Sequence, residues 1–138
     1  MRKSIAPTHF IHLNGVLAMN PNFIILYVSD LDSSTVFYTE LLGQSPVETS
    51  PNFVGFALES GIFLGLWAKS AVEPVSVITG GGTEIGFSVA NKEALDKLYV
   101  DWVARHVPIA QVPIQMDFGY TFVGLDPDGH RLRIMVNP

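Results

Sequence analysis

The sequence has no cysteine. Disulfides, thiolate metal sites and cysteine nucleophiles are therefore excluded. Basic side chains are scarce: 8 Lys and Arg stand against 13 Asp and Glu, for a net charge of −5. Gripping a nucleic-acid backbone takes clustered cations, so that class is excluded as well. No apolar run approaches the roughly 20 residues of a membrane-spanning helix. Arg2-Lys3 and the apolar residues 11–18 make a poor signal peptide, because His12, Asn14 and Gly15 interrupt them. The expected location is cytoplasmic. What remains is 138 residues, 48% of them hydrophobic and 15% charged. That is one compact domain with a real core.

Residues 1–18 read as an N-terminal extension or leader, ahead of a single domain at 19–138. His9 and His12 would suit a metal only on a helix with further ligands, and read as surface histidines. Phe23 to Ser29 is an apolar run with strand character. Asp30 stands at a helix N-cap, and Asp32 adds charge suited to the positive end of the helix dipole. Phe37 with Leu41 and Tyr38 with Leu42 form the apolar stripe, and Gly43 supplies the stop. Strands are predicted over 46–49, 53–59 and 62–67, with Ser60-Gly61 as a hairpin signal. Repeat one is thus β-α-β-β-β over 22–69. Residues 70–82, with Pro74 and Gly80-Gly81-Gly82, read as a flexible linker.

The pattern then returns over 83–137. Glu84 to Ala90 is a strand, Asn91 an N-cap, and Leu95, Leu98 and Trp102 an apolar helical face, with a stop at Pro108. Strands are predicted over 110–116, 120–125 and 131–136. Pro127-Asp128-Gly129 is a tight-turn signal. After it Leu132, Ile134 and Val136 point one way, and Arg131, Arg133 and Met135 the other. His130 reads as a solvated turn residue, with a minor alternative of an acid–base pair with Asp128.

Three stretches carry a family resemblance: Ile25 to Leu31 with Phe37-Tyr38 and Leu41-Leu42-Gly43; Glu84 to Val89; and Asp126 to Met135. In this order they resemble the vicinal-oxygen-chelate superfamily of glyoxalase I, extradiol dioxygenases, fosfomycin-resistance enzymes and bleomycin-resistance proteins. The resemblance spans residues 22–137. It implies an α+β fold, two βαβββ repeats forming a half-open mixed β-barrel around a cleft, and a homodimer.

In the superfamily's metal enzymes, ligands occupy equivalent points of the two repeats. Carried onto this chain, those points are Phe23, Gly65, Glu84 and Arg133. Phe23 and Gly65 have no donor side chain, and Arg133 is a permanent cation. Only Glu84 could bind, so no metal and no cofactor are expected. Glu84 and Arg133 are instead expected to pair where the metal would have been. Ile25, Tyr27, Phe63 and Trp67 share the cleft-facing side by alternation, with Tyr120 and Phe122 added from the neighbouring strand. An aromatic-lined cleft suits a flat or amphipathic organic ligand. The expected function is small-molecule binding of the bleomycin-resistance type, with an antibiotic as one ligand class and no turnover. The alternative is a metal-dependent lyase or dioxygenase of the same superfamily with an atypical ligand set.

Overall fold

The computed structural model describes residues 10–13 and 16–137, with side chains from residue 19 onward. The chain divides into two compact units between residues 77 and 78.

The first described elements are an antiparallel strand pair, β1 (Phe10–Leu13) and β2 (Val16–Met19). Part of the expected extension is therefore regular structure, and His9 lies outside the described residues. β3 (Phe23–Val28), α1 (Leu31–Leu42), β4 (Glu48–Thr49), β5 (Phe53–Ala57) and β6 (Phe63–Ala68) follow, closed by a single 3-10 turn at Lys69–Ala71. The sheet order is β3-β6-β5-β4, with β3 and β6 parallel and the other pairs antiparallel. Asp30 caps α1 by accepting from the backbone N–H of Asp32 and Ser33, and Gly43 ends it at φ 66°. Alternation sends Leu26 and Val28 inward with Leu64, Leu66, Val54 and Phe56. Tyr38 of α1 is fully buried with them.

Ser34 of α1 is also fully buried, and its hydroxyl has no hydrogen-bond partner among the described residues. A buried unsatisfied hydroxyl costs about 1–3 kcal/mol, and alanine is the better helix former. Ser34→Ala is expected to raise stability by about 1 kcal/mol, measured by urea unfolding.

The second unit repeats the plan: β7 (Glu84–Val89), α2 (Lys92–Ala104), β8 (Ile109–Met116), β9 (Gly119–Leu125) and β10 (Arg131–Val136). Its sheet order is β7-β10-β9-β8, with β7 and β10 parallel. Asn91 caps α2 through the N–H of Ala94 at 2.8 Å. Pro113 lies in β8, the edge strand, where a missing N–H is tolerated, and the pairing with β9 shifts register around it. Leu95, Trp102, Phe122, Leu132 and Ile134 fill the space between sheet and helix. Phe122 meets Trp102 and Tyr99 edge to face, at centroid distances of 5.3 and 5.4 Å. Neither four-stranded sheet closes on itself. The expected α+β architecture of two βαβββ repeats is what the chain adopts.

The linker is less loose than its glycines suggest. A Cβ at Gly80 would sit 2.6 Å from the backbone of Gly129 and of His130. The Thr79 hydroxyl reaches the Asp128 carbonyl at 3.3 Å. The end of the linker thus packs on the turn before β10, and residue 80 has room for glycine only.

Candidate functional site

Each sheet has one face against its helix and one face turned away from it, and the expected site residues divide between these faces. In the first unit, Phe23, Ile25 and Tyr27 of β3 pair across the sheet with Phe63, Gly65 and Trp67 of β6. All six share the face away from α1. Phe23 is 39% exposed and Ile25 42%. Tyr27 and Trp67 are half-buried and meet edge to face at 6.2 Å.

The centre of this face is filled from within. Gly55 and Gly65 lie opposite one another, and the rings of Phe63 and Phe53 fold over them, nearly parallel at 6.5 Å. A Cβ at Gly65 would sit 2.6 Å from the Phe53 ring. Gly65 is thus a seat for Phe53, and Phe63 is buried against Phe23 and Phe53. The groups that present ring or branched surface are Phe23, Ile25, Tyr27 and Trp67.

In the second unit the expected ion pair is present. Arg133 Nε donates to Glu84 Oε1 at 2.7 Å, and Nη2 donates to Oε2 at 2.9 Å. Nη1 donates to Gln111 Oε1 at 3.1 Å and to the Thr121 hydroxyl at 3.2 Å. The Phe118 ring centroid lies 5.5 Å from the guanidinium carbon. Sequence reasoning missed Phe118, which sits in a turn where alternation says nothing. The hydrogen bond from Arg133 is the main cause holding the Glu84 carboxyl below its ordinary range; burial opposes it, and the charges of Arg133 and Arg131 add to it. The same bond holds the Arg133 guanidinium above its usual value.

Because the Glu84 pKa is depressed on folding, the pair's stabilisation is present above the unfolded glutamate pKa of about 4.3 and fades as pH falls through the folded value. The Glu84 side chain is 35% exposed, so the pair is partly screened by solvent. Arg133→Ala is expected to cost about 1 kcal/mol at pH 7, and less near pH 3. Thermal melts across that range check it.

Two expected contacts are corrected. Phe122 is fully buried against α2. The Tyr120 hydroxyl donates to Asp96 of α2 at 2.7 Å, and Lys92 Nζ lies over its ring. Both therefore face the helix. The register explains why. Arg133 is opposite Val123 and Met135 opposite Thr121, so Thr121 and Val123 share the face away from α2 with Arg133.

His130 is corrected too: it is buried, at 5% exposure, and pairs with Asp126 rather than Asp128. Its Nδ1 lies 2.7 Å from Asp126 Oδ2, while Asp126 Oδ1 accepts the backbone N–H of Asp128 and of His130. Burial is the largest single influence and lowers the imidazole pKa. The Asp126 hydrogen bond and charge, the Asp128 charge and the Thr79 backbone together outweigh it, so the net shift is upward. Parity was the available signal, since 130 is in phase with the inward residues 132 and 134.

Taken unit by unit, the positions carried over from the superfamily's metal enzymes are poor donors. Phe23 and Gly65 offer no lone pair, Arg133 is a cation, and both Glu84 oxygens are engaged by it. Among the described residues no group of three His, Asp or Glu could hold a metal. No helix among them is long and apolar enough to cross a membrane.

Known proteins resemble this chain over most of its length. It is 32% identical over 119 residues to the phenazine antibiotic resistance protein EhpR of Enterobacter agglomerans, covering 84% of this chain and 91% of that one. An Agrobacterium tumefaciens protein solved by solution NMR superimposes with a TM-score of 0.78 at 45% identity, over 88% of this chain and 99% of that one. A glyoxalase-related enzyme of Fulvimarina pelagi gives a TM-score of 0.76 at 25% identity, over 86% and 88%. The model of the Glyoxalase/Bleomycin resistance protein/Dioxygenase superfamily matches residues 20–134. With both βαβββ repeats inside that span, the chain belongs to this superfamily.

Proposed function

We propose that the protein binds a flat organic molecule of the phenazine-antibiotic kind, and does so without a metal. The observation that carries this reading is the two-pronged Arg133–Glu84 pair. It puts a permanent cation where the family's chelating enzymes need a lone pair, and occupies the one carboxylate at the four points. The protein then grips its ligand rather than activating it. The rings of the first sheet support the choice of ligand: exposed Phe23 and half-buried Tyr27 and Trp67 offer aromatic surface, where stacking on a planar ring is favourable. The similarity to a phenazine antibiotic resistance protein points the same way. The reading includes a cytoplasmic homodimer, which sedimentation equilibrium tests.

The main test is a fluorescence titration with phenazine. Saturable binding is expected, with Tyr27→Ala and Trp67→Ala each weakening it about tenfold, a loss of about 1.4 kcal/mol. Elemental analysis of the purified protein is expected to show no divalent ion at stoichiometry. A tightly held ion, or binding indifferent to both substitutions, overturns the reading.

A further inference from the structure

The second unit begins with the end of the linker, and residues 72–83 form no helix or strand. Within that irregular stretch, Thr79 and Gly80 are docked on the turn that leads into β10. The Thr79 hydroxyl donates to the Asp128 carbonyl at 3.3 Å, and Gly80 lies against the backbone of Gly129 and His130. Their neighbours are looser. Ile78 is exposed, and a Cβ at Gly81 or Gly82 would meet nothing within 4 Å. The turn is the firmer partner. Asp126 Oδ1 accepts from the N–H of Asp128 and of His130. The Asp126 N–H donates to the His130 carbonyl at 3.0 Å, and the Gly129 N–H to the Asp126 carbonyl at 3.1 Å.

The buried His130 ring serves both sides. Its Nδ1 lies 2.7 Å from Asp126 Oδ2. Thr79 raises the imidazole pKa through a backbone hydrogen bond, and a backbone group that does so is an acceptor, the Thr79 carbonyl. With Nδ1 taken by Asp126, that carbonyl falls to Nε2. Imidazolium has two N–H donors, whereas neutral imidazole has one N–H and one lone pair. Both acceptors are therefore served together only while the ring carries its extra proton. A neutral ring keeps its single N–H on the Asp126 carboxylate, the stronger acceptor, and presents a lone pair to the Thr79 carbonyl. That contact is repulsive. The side held by fewer bonds gives way, and that side is the linker.

We propose that His130 is a proton-operated clasp: protonated, it holds Thr79 and Gly80 on the turn before β10, and neutral, it releases them while the turn stays closed. Among the described residues, the charges acting on the ring are those of Asp126 and Asp128, both in its own turn. The linker side adds a backbone carbonyl and no charge. Both carboxylates favour the protonated ring, and the net shift is upward. The clasp is thus closed below the ordinary histidine pKa of about 6.5 and opens as pH rises through the higher folded-state value. The stretch it governs lies where the chain passes from one compact unit to the other.

The test follows the His130 ring and the linker amides of the full chain together by NMR, between about pH 6 and pH 9. The Thr79, Gly80 and Gly81 N–H signals are expected to shift with the midpoint of the His130 ring. Hydrogen exchange at Gly80, divided by the unstructured-peptide rate at each pH, is expected to speed severalfold across that midpoint. His130→Gln should flatten both responses and leave the stretch loose at either end of the range. His106→Asn, at an exposed position beyond α2, should leave both as they are. Thr79→Val keeps the backbone carbonyl and should keep the pH response; its loss would place the switch at the hydroxyl and overturn the clasp. If His130→Gln does not fold, the unaltered chain decides alone. Linker signals that stay still through the His130 titration, follow another midpoint, or become more ordered as pH rises overturn the clasp. A ring that never titrates in this range overturns it too.

Discussion

Asp126→Ala is expected to lower stability by about 3–5 kcal/mol, the loss typical of removing one partner from a buried charged pair. Asp126 is 3% exposed and its carboxylate satisfies three donors, the backbone N–H of Asp128 and of His130 and the His130 ring. Alanine leaves all three without that acceptor in a site with little access to water. The damage spreads, because the turn they shape is the surface on which Gly80 packs. The melting temperature should fall by roughly 10 °C or more.

The same pair makes stability depend on pH in a definite direction. The folded-state pKa of His130 lies above its ordinary value, so protonation favours the fold. That contribution is fully present below the unfolded pKa of about 6.5 and is lost as pH rises through the folded one. His130→Asn should therefore cost more at pH 6 than at pH 9, relative to the unaltered protein. A penalty that grows with pH would mean the ring is held neutral and the pairing with Asp126 is misjudged.

Where one side of a strand is plainly apolar and the other is not, the sequence could be read directly. Arg131, Leu132, Arg133 and Ile134 alternate without ambiguity, whereas the Arg133–Glu84 pair came from carrying the superfamily's ligand positions onto the two repeats. β3 is apolar or aromatic on both sides, so its own pattern could not say which side α1 covers, and its phase came from matching the two repeats. β9 was not legible either. Tyr120, Thr121, Phe122 and Val123 have comparable claims to burial, and three of them are buried. Their phase is set by pairing with β10, a non-local fact that no pattern within β9 contains. His130 was obscured by its turn: the Pro-Asp-Gly signal suggested solvent, while parity with Leu132 pointed inward. The three glycines of the linker were equally opaque. Only Gly80 meets backbone within 4 Å, and composition cannot say which of three neighbours will do so.

Phe122→Ala tests the corrected phase of β9 and carries the other large effect. Fully buried, with Trp102 and Tyr99 packed on its ring, Phe122 is a core residue of the second unit. Truncating a buried phenylalanine removes its transfer energy and leaves a cavity, for a loss of about 3–5 kcal/mol. The neighbours limit relaxation: Trp102 already lies against Gly124, where a Cβ would be 2.6 Å from its ring. The indole can shift toward Gly124 no further, so the void should persist and the cost fall in the upper part of that range. Had Phe122 faced a ligand, its loss would have weakened binding and left the melting temperature almost unchanged. The expected pattern is the reverse: a large fall in urea midpoint, with phenazine affinity unaltered when measured well below the transition. Phe122→Leu, which keeps most of the volume, should recover much of the stability.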